Sequence, residues 1–488
     1  MDASAVGTGE QAGSRMAQPT HEQLLEIIAR KDRRIGQLEV RVTQLETRIV
    51  ELEQLLDKAT RATKRQAAPF SKGPPKTNPK TPGRKAGADY GPKAHRPLPE
   101  QLPDEIHDVP LPPACPDCGG PVREDHIDRQ FQVEIPRKPL IRRFDVHVGR
   151  CRACGRSVRP RHPLQTSQAT GTAASQTGAD LQALIAMMKD KYGLSYGDIP
   201  GLLKDGFGIS ISRGGAAQIV QRAARRAEPF YDRIGQIVRA SDTVYPDETG
   251  WKVGGWLQWL WVFAGEQVRY YVIRPSRGGD VLEEVLGRDY SGWMTHDGWA
   301  PYDGLEQAEH QQCVTHLLRR AQSLLERARR GAVRFPRAVQ AFLLDALDLR
   351  DRRDVFSISP HGLAVTQGRL ESRLEGLLGW RLSHEGNRKF RDHLARHADQ
   401  ILTFLYVWGL EASNWPAEQG IRPMVANRKV FGGNRTWAGA HAQEVLGSLF
   451  ATCTQRARDS LTLLSNLIRA TQHQRAAYLR HLLPVPSG

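Results

Sequence analysis

VYPDETGWKVGG, residues 244–255, begins a series of strand-like segments in the second half of the chain. Two runs with the apolar and aromatic composition of strands follow it, WLQWLWVFAG at 256–265 and VRYYVIRP at 268–275. A helix is expected after the next Gly-Gly pair, and GWMTHDGWAPYDG at 292–304 then supplies a further strand. The predicted order is therefore a strand with an Asp, two more strands, a helix, and a strand that ends in an Asp.

This order of elements is that of an RNase H-like α/β fold. It would place Asp247 and Asp297 near the ends of adjacent central strands. Further along the chain, SNWPAEQGIRP at 413–423 puts Glu418 at the start of a helix, and Pro416 suits the first turn of that helix. The three acids are thus candidates for one site.

Carboxylates that are brought together repel one another and need a cation. Mg²⁺ (or Mn²⁺) fits because it is a hard cation that takes few carboxylates and bridges phosphate oxygens. Two such ions about 4 Å apart can stabilise both the attacking and the leaving oxygen of a phosphodiester displacement. Because the chain has 53 Asp and Glu, spacing alone does not single out one triple, and Asp303 and Glu248 are the main competitors as ligands.

Composition indicates a soluble protein with several modules and a polyanionic partner. The 488 residues can form two or three cores, and the net charge is +16. The longest apolar stretch, 401–410, is about half of a membrane span, and no hydrophobic signal core is visible at the N-terminus. With only six cysteines, four of them in two CxxC pairs, we expect a reduced cytoplasmic compartment.

Residues 21–58 repeat with a period of seven, which predicts a coiled-coil helix. Leu with β-branched residues in the core, and Arg at position g matched to Glu at position e, favour a parallel homodimer; the alternative is one amphipathic helix packed on its own protein. The core positions are Leu24, Leu38, Leu45 and Leu52 at d, with Lys31 interrupting, and Ile28, Ile35, Val42, Ile49 and Leu56 at a.

Residues 59–98 hold ten Lys or Arg and seven Pro against one Asp, which predicts a disordered basic linker. Such a linker either contacts phosphates through counterion release or serves as a solubilising spacer.

Two CxxC pairs follow, Cys115 with Cys118 and Cys151 with Cys154. Four thiolates in two such turns predict a closed, structural Zn²⁺ site, whereas redox CxxC motifs come singly. Between the pairs, RQFQVEI at 129–135 and RRFDVHV at 142–148 alternate as the strands of a zinc ribbon would.

The segment from Ala179 to Ala240 is predicted to be helical, and residues 195–226 have the outline of a helix-turn-helix. Its second helix would present residues able to reach base edges or phosphates. A helical hairpin with a solvated basic face explains the pattern equally well. The residues concerned are Arg213, Gln218, Gln221 and Arg222.

Residues 298–417 are too many for a simple connection between the second and third acids. Their pattern is helical and rich in Arg, so we expect an α-helical insertion. Its arginines, Arg319 and Arg320 among them, either line a DNA channel or belong to solvated helix faces.

Four strings, PDETGWKV, THDGWAPYDGL, CVTHLLRRA and SNWPAEQGIRPMVANRKVFGG, resemble blocks of the insertion-sequence-sixty-six family of bacterial transposases. The resemblance extends over nearly the whole chain, because that family also carries a zipper, a basic linker and a zinc module before a DDE domain. It implies that Asp247, Asp297 and Glu418 are the catalytic and metal-binding set. It also implies double-stranded DNA as partner, bacterial nucleoid association and small accessory proteins encoded alongside.

The chain departs from the family pattern at Trp415-Pro416 before the Glu, at Gln419 after it, and at Trp299, where the family often has Tyr. These changes affect local DNA contacts and leave the three acids in place. His316 and Arg422 are auxiliary candidates near the acids, and Arg428 and Lys429 are candidate DNA contacts. Burial in the core is the expectation for Cys313.

The sequence therefore predicts a multidomain α/β DNA transposase that cleaves DNA and joins a 3′-hydroxyl to a target, active as a dimer or a larger assembly on DNA. A non-catalytic DNA-binding regulator and a nuclease without joining activity are the alternatives. The expected order is disorder at 1–20, coiled coil at 21–58, linker at 59–98, zinc ribbon at 99–165, helix-turn-helix-like segment at 166–240, catalytic core at 241–310, helical insertion at 311–394, second part of the core at 395–460, and a C-terminal helix and tail at 461–488.

Overall fold

The structure is a computed structural model that describes residues 31–32, 34–49, 51–52, 99–133, 135, 138–171, 176–327, 330–471, 473–475 and 478. The chain divides into two units, Met1–Arg84 and Lys85–Gly488. The segments predicted as disordered, 1–20 and 59–98, lie outside the described residues. Within the described ranges, no helix is both long and apolar enough to cross a membrane.

The described part of the first unit is helical at 31–32, 34–49 and 51–52, as the heptad pattern predicts. In the single chain, the side chains of the heptad core remain about half exposed, from 48% at Leu38 to 57% at Leu45. An apolar stripe of this kind matches the seam of a coiled coil. Pairing with a second chain stays a prediction.

The cysteine region has little regular structure, which corrects one prediction. Its described strands are β1, Gly149–Arg150, and β2, Ser157–Val158, which pair antiparallel around the second CxxC turn. The described residues of 129–135 and 142–148 are not strands. Alternation alone does not form a ladder unless one face is covered, and here Val133 is 84% and Ile135 is 71% exposed.

Three helices follow: α1 Ala179–Ala186, α2 Asp198–Phe207 and α3 Arg213–Arg239. A π-helical turn, Met187–Lys191, extends α1. Gly208 ends α2 in the left-handed conformation that glycine favours, with φ 67°. The hydroxyl of Ser212 then caps α3 by accepting the N–H of Gly215 at 2.9 Å.

A five-stranded mixed sheet forms the centre of the second unit. Its strands are β3 Thr243–Val253, β4 Trp256–Ala264, β5 Arg269–Arg274, β6 Trp293–His296 and β7 Glu309–Gln312, and helix α4, Gly279–Leu286, connects β5 to β6. The spatial order is β5-β4-β3-β6-β7, with antiparallel pairs on the β5 side and parallel pairs on the β7 side. The predicted order of elements is confirmed.

The β3–β4 hairpin closes through Gly254 and Gly255, both at positive φ, which a tight two-residue turn requires. Along β4, residues alternate between the two faces of the sheet. Trp261 and Phe263 pack with α1, α3 and α4, whereas Leu260 and Val262 pack with the later helix that carries Glu418. Both faces are therefore covered.

After β7 the chain forms a helical subdomain with its own apolar core, then returns to the sheet. The subdomain contains α5 Val314–Arg327, α6 Arg334–Asp354, α7 Pro360–Leu378 and α8 Glu385–Arg396. The returning helices are α9 Trp415–Phe431, α10 Trp437–Gln455 and α11 Ser460–Arg469. Helical turns of the 3₁₀ type lie at Ala300–Gly304, Arg330–Val333, Ala398–Gln400 and Thr403–Leu405.

Candidate active site

Asp247 and Asp297 come from adjacent parallel strands. In the β3–β6 register, Thr243 lies level with Trp293 and Val244 with Met294. If this offset of 50 residues is continued three positions beyond the last recorded pair, Asp247 lies level with Asp297, which directly follows β6, and the charge of Asp297 raises the pKa of Asp247. Asp247 lies inside β3, not near its end as predicted, because β3 continues past it into the hairpin with β4.

Glu418 reaches the same region from helix α9. The side chains of β3 alternate, and Tyr245 and Trp251 share an apolar cluster with Ala417 and Ile421 of α9. Asp247 has the same parity as these two strand residues and so faces the helix that carries Glu418. Pro416 lies in the first turn of α9, as the sequence predicts.

Asn414 fixes the start of this helix against the strand. Its side-chain N–H donates to the carbonyl of Pro246 at 2.7 Å, and its backbone N–H donates to the sulfur of Cys313 at 3.1 Å. Asn414 and Cys313 are both 1% exposed. Core burial of Cys313 is confirmed, and Asn414 is a positioning residue to which the sequence analysis gave no role.

The three acids interact electrostatically. The pKa of Asp247 is raised to about 7, first by burial and then by the charges of Glu248, Asp297 and Glu418, against a lowering hydrogen bond from the N–H of Glu248. In the described parts of the chain, however, no three His, Cys, Asp or Glu side chains are grouped closely enough to hold a metal ion. The acids are thus close enough to affect the pKa of Asp247 but farther apart than the ligands of a single bound metal ion.

A cationic side chain meets the third acid. Arg319 donates to both oxygens of Glu418, at 3.1 and 3.4 Å, and the Nε2 atom of His316 lies 4.0 Å from the nearer oxygen. Both residues lie on α5, the first helix of the insertion. His316 therefore lies near Glu418, as predicted. Arg319, which is closer, forms the ion pair with this carboxylate.

Glu248, a competing ligand in the sequence analysis, is occupied by its own chain. Arg277 donates to one of its oxygens at 2.7 Å and the hydroxyl of Tyr302 to the other at 2.7 Å, and the carboxylate is 3% exposed. The second competitor, Asp303, lies 3.9 Å from Nδ1 of His397. Neither Arg277 nor Tyr302 carries a sequence signal that would have revealed its role.

We expect Glu248→Ala to lower the free energy of unfolding by about 2–4 kcal/mol, because it leaves a guanidinium and a hydroxyl without their buried acceptor. The matched control is Glu283→Ala, which breaks an ion pair of the same 2.7 Å length to Arg288 in a more exposed place. That control should cost less than about 1 kcal/mol. Urea unfolding measures both, and equal losses would contradict a structural role for Glu248.

Histidines surround the base of the Asp297 loop, a feature that sequence reasoning missed. Nδ1 of His296 accepts the N–H of Gly298 at 3.2 Å, so its Nε2 carries the proton and donates to Nδ1 of His310 at 3.0 Å. Burial lowers the pKa of His296 well below its usual value, and the neighbouring His310, His397 and His393 lower it further. A neutral His296 thus orients the turn that presents Asp297.

The remaining predicted contacts are spread over two helices. On α3, Arg213, Gln218 and Arg222 are exposed, an arrangement compatible with both a recognition helix and a solvated face. On α9, Arg422 and Lys429 are exposed. Arg428 is half-buried and donates to the hydroxyl of Thr249 at 2.8 Å and to the carbonyl of Gly250, so it ties α9 to β3.

The two CxxC turns have the same local structure. Gly119 and Gly155 adopt positive φ and donate their N–H groups to the carbonyls of Cys115 and Cys151, at 2.8 and 2.9 Å. The N–H groups of Asp117 and Cys118 lower the pKa of the Cys115 thiol. Those of Cys154 and Ala153 lower the pKa of the Cys151 thiol in the same way. Each turn therefore favours the thiolate form of its first cysteine. Among the described residues no three Cys or His side chains are grouped closely enough to hold a metal ion, so one Zn²⁺ shared by the two turns stays a prediction.

The profile described as transposase IS66 family matches residues 174–442, more than half of the chain and the range that contains all three acids. The chain belongs to the transposase IS66 family. Membership in this transposase family assigns the chain to DNA-binding enzymes that generally use divalent metals. A search of curated proteins finds no match.

Proposed function

We propose that this chain cuts DNA at the ends of an insertion sequence and joins the freed 3′-hydroxyl to a target, with Asp247, Asp297 and Glu418 holding two Mg²⁺ or Mn²⁺ ions in an RNase H-like core. The observation that carries this proposal is the convergence of the acids: adjacent strands bring two of them level, and α9 brings the third to the same face of β3.

The donor set fits hard divalent cations. Burial, and after it the charges of Glu248, Asp297 and Glu418, raise the pKa of Asp247, and a cation held by the acids would relieve the repulsion between their charges. Bound ions of this kind stabilise the attacking and leaving oxygens of an in-line phosphodiester displacement.

The protein's own residues prepare this site. Asp247 must lose its proton before it can serve as a ligand, and Arg319 must share or release Glu418. A DNA phosphate near α5 offers Arg319 another anionic partner. His316 and Arg319 are therefore the residues that we expect to orient the phosphate, and Asn414 keeps Glu418 in register with Asp247.

The first part of the chain supports DNA binding in this proposal. Cys115, Cys118, Cys151 and Cys154 are the ligands of one structural Zn²⁺, supported by the matching structure of the two turns and by the lowered pKa of the first thiol in each. The exposed heptad stripe pairs two chains in parallel, and the basic linker at 59–98 contacts phosphates without sequence preference. Accessory proteins and a larger assembly on DNA belong to the same proposal.

The test is metal-dependent cleavage and strand transfer on DNA that carries the element's ends, supplied both uncut and with a pre-formed 3′-hydroxyl. We expect Asp297→Asn to lose both reactions while it retains DNA binding, because it removes one metal-binding carboxylate and keeps a side chain of the same shape. Native protein that binds DNA without either reaction, with accessory proteins present, would point to a regulator. Cleavage without joining would point to a nuclease.

A further inference from the structure

Next to Asp297, two tryptophans contact one arginine, which pairs with Glu248 on the face of the sheet opposite to the one that Asp247 presents to α9. The guanidinium carbon of Arg277 lies 4.2 Å from the ring centre of Trp299 and 4.9 Å from that of Trp259. We call these three side chains the tryptophan–arginine stack. Trp259 and Glu248 lie on the same face of the sheet, because β3 and β4 pair Glu248 with Trp261 and Gly250 with Trp259.

The stack is anchored to the neighbours of both strand acids. Arg277 is held by Glu248, which directly follows Asp247. The backbone N–H of Trp299 donates to a carboxylate oxygen of Asp297 at 3.0 Å. Tyr302, from the turn that Trp299 begins, also donates to Glu248. The position of the Trp299 indole therefore depends on contacts with Asp297, which follows β6, and, through Arg277, with Glu248 of β3.

Trp299 nevertheless stays 40% exposed. The cation contacts one face of its ring, so the exposed area belongs to the rest of the indole. An aromatic face contributes little to the binding of a phosphate, whereas stacking of a nucleobase on it contributes about 1–3 kcal/mol of binding free energy. Inside a duplex, both faces of a base are already covered by its neighbours, so only an unpaired base can use the ring.

We propose that Trp299 stacks an unpaired base of the DNA strand whose phosphate lies at the acids. This inference rests on the proposed function, because it needs DNA at Asp247, Asp297 and Glu418. The sugar separates a base from its own phosphate, so the base can reach the stack while the phosphate stays at the carboxylates. The end of the element's DNA is therefore bound with its last base pair open.

The experiment uses the full chain and short DNA duplexes with a 2-aminopurine either in an unpaired 3′-terminal position or paired inside the duplex, with Ca²⁺ present to limit chemistry. Native protein should quench the unpaired probe. Trp299→Ala should lose that quenching and bind the unpaired-end DNA about 5- to 100-fold more weakly, with unchanged affinity for the fully paired duplex. Trp299→Phe should restore part of both effects, and an unchanged melting temperature shows that the variants are folded.

The matched control is Trp408→Ala, which removes a tryptophan of the helical insertion that is 61% exposed. It should behave as native. Quenching by Trp299→Ala equal to that of the native chain, or an equal loss of affinity for both duplexes, would overturn the stacking proposal. Asp297→Asn separates the two proposals: it should still quench the probe, and if it also still cleaves DNA, the catalytic assignment fails whatever the fluorescence shows.

Discussion

Asp247→Asn is expected to abolish DNA cleavage and joining and, at the same time, to make the metal-free protein more stable. The loss of activity should be about 1,000-fold or more, because metal ions at such sites contribute several kcal/mol of transition-state stabilisation. The gain in stability follows from the pKa of this carboxyl, which the fold raises from 3.8 to about 7.

The sign of the stability effect depends on pH. Below pH 4 the carboxyl is protonated in both folded and unfolded chains, and its burial in the protonated form favours the fold. Between about pH 4 and pH 7 the unfolded chain releases this proton while the folded chain still holds it, so the free energy of unfolding falls as pH rises, by on the order of 4 kcal/mol in all. Asn carries no charge, so the variant avoids this loss.

Urea unfolding at pH 5 and pH 8.5, in buffer without Mg²⁺ or Mn²⁺, measures the difference. The free energy of unfolding of the variant should exceed that of the native protein by a larger margin at pH 8.5 than at pH 5, with a difference between the two margins of about 2–3 kcal/mol. Asp348→Asn is the control, because its side chain is 70% exposed and its replacement should change little at either pH. Added Mg²⁺ should stabilise the native protein more at pH 8.5 and leave Asp247→Asn nearly unaffected. A native stability that rises between pH 5 and pH 8.5 without metal would contradict the assignment.

The second large effect concerns the two CxxC turns. Cys151→Ser should lower the zinc content from one ion per chain to a small fraction, because a closed site needs all four thiolates. Binding of structural Zn²⁺ is worth roughly 10 kcal/mol in small zinc domains, so residues 99–165 should become sensitive to protease while the catalytic core keeps its melting temperature.

Zinc content measured with a colorimetric chelator, together with limited proteolysis, tests this prediction. Cys313→Ser and Cys453→Ser are the controls, because both cysteines are buried in the second unit away from the CxxC pairs. Either control should keep its zinc. A native protein that contains no zinc, or a Cys151→Ser chain that keeps it, would refute the site.

The parts of the fold that sequence predicts are those that local patterns encode. The apolar and aromatic runs of β4 and β5 predict two strands, and Pro416 marks the start of α9. Spacing alone does not single out three acids among the 53 Asp and Glu, and the selection of Asp247, Asp297 and Glu418 depended on the resemblance to a family. The run at 129–135 failed because alternation needs a surface to cover it, and no local pattern provides one.

The contacts that organise the site could not be predicted, since each joins residues far apart in sequence. Arg319 meets Glu418 across 99 positions and Asn414 meets Pro246 across 168. His296 and His310 are closer, but their pairing depends on the parallel register of β6 and β7. Only the folded topology brings these side chains together.

The unequal spacing of the acids has a consequence for how the protein folds. Asp247 and Asp297 are 50 residues apart and meet as soon as β3 pairs with β6, whereas Glu418 follows Asp297 by 121 residues and needs the whole helical insertion to close first. Long-range contacts of this kind form late, because loop closure costs entropy before the contact is made. A growing polypeptide can therefore assemble its sheet on the ribosome and still lack the means to cut DNA until the last quarter of its length has emerged.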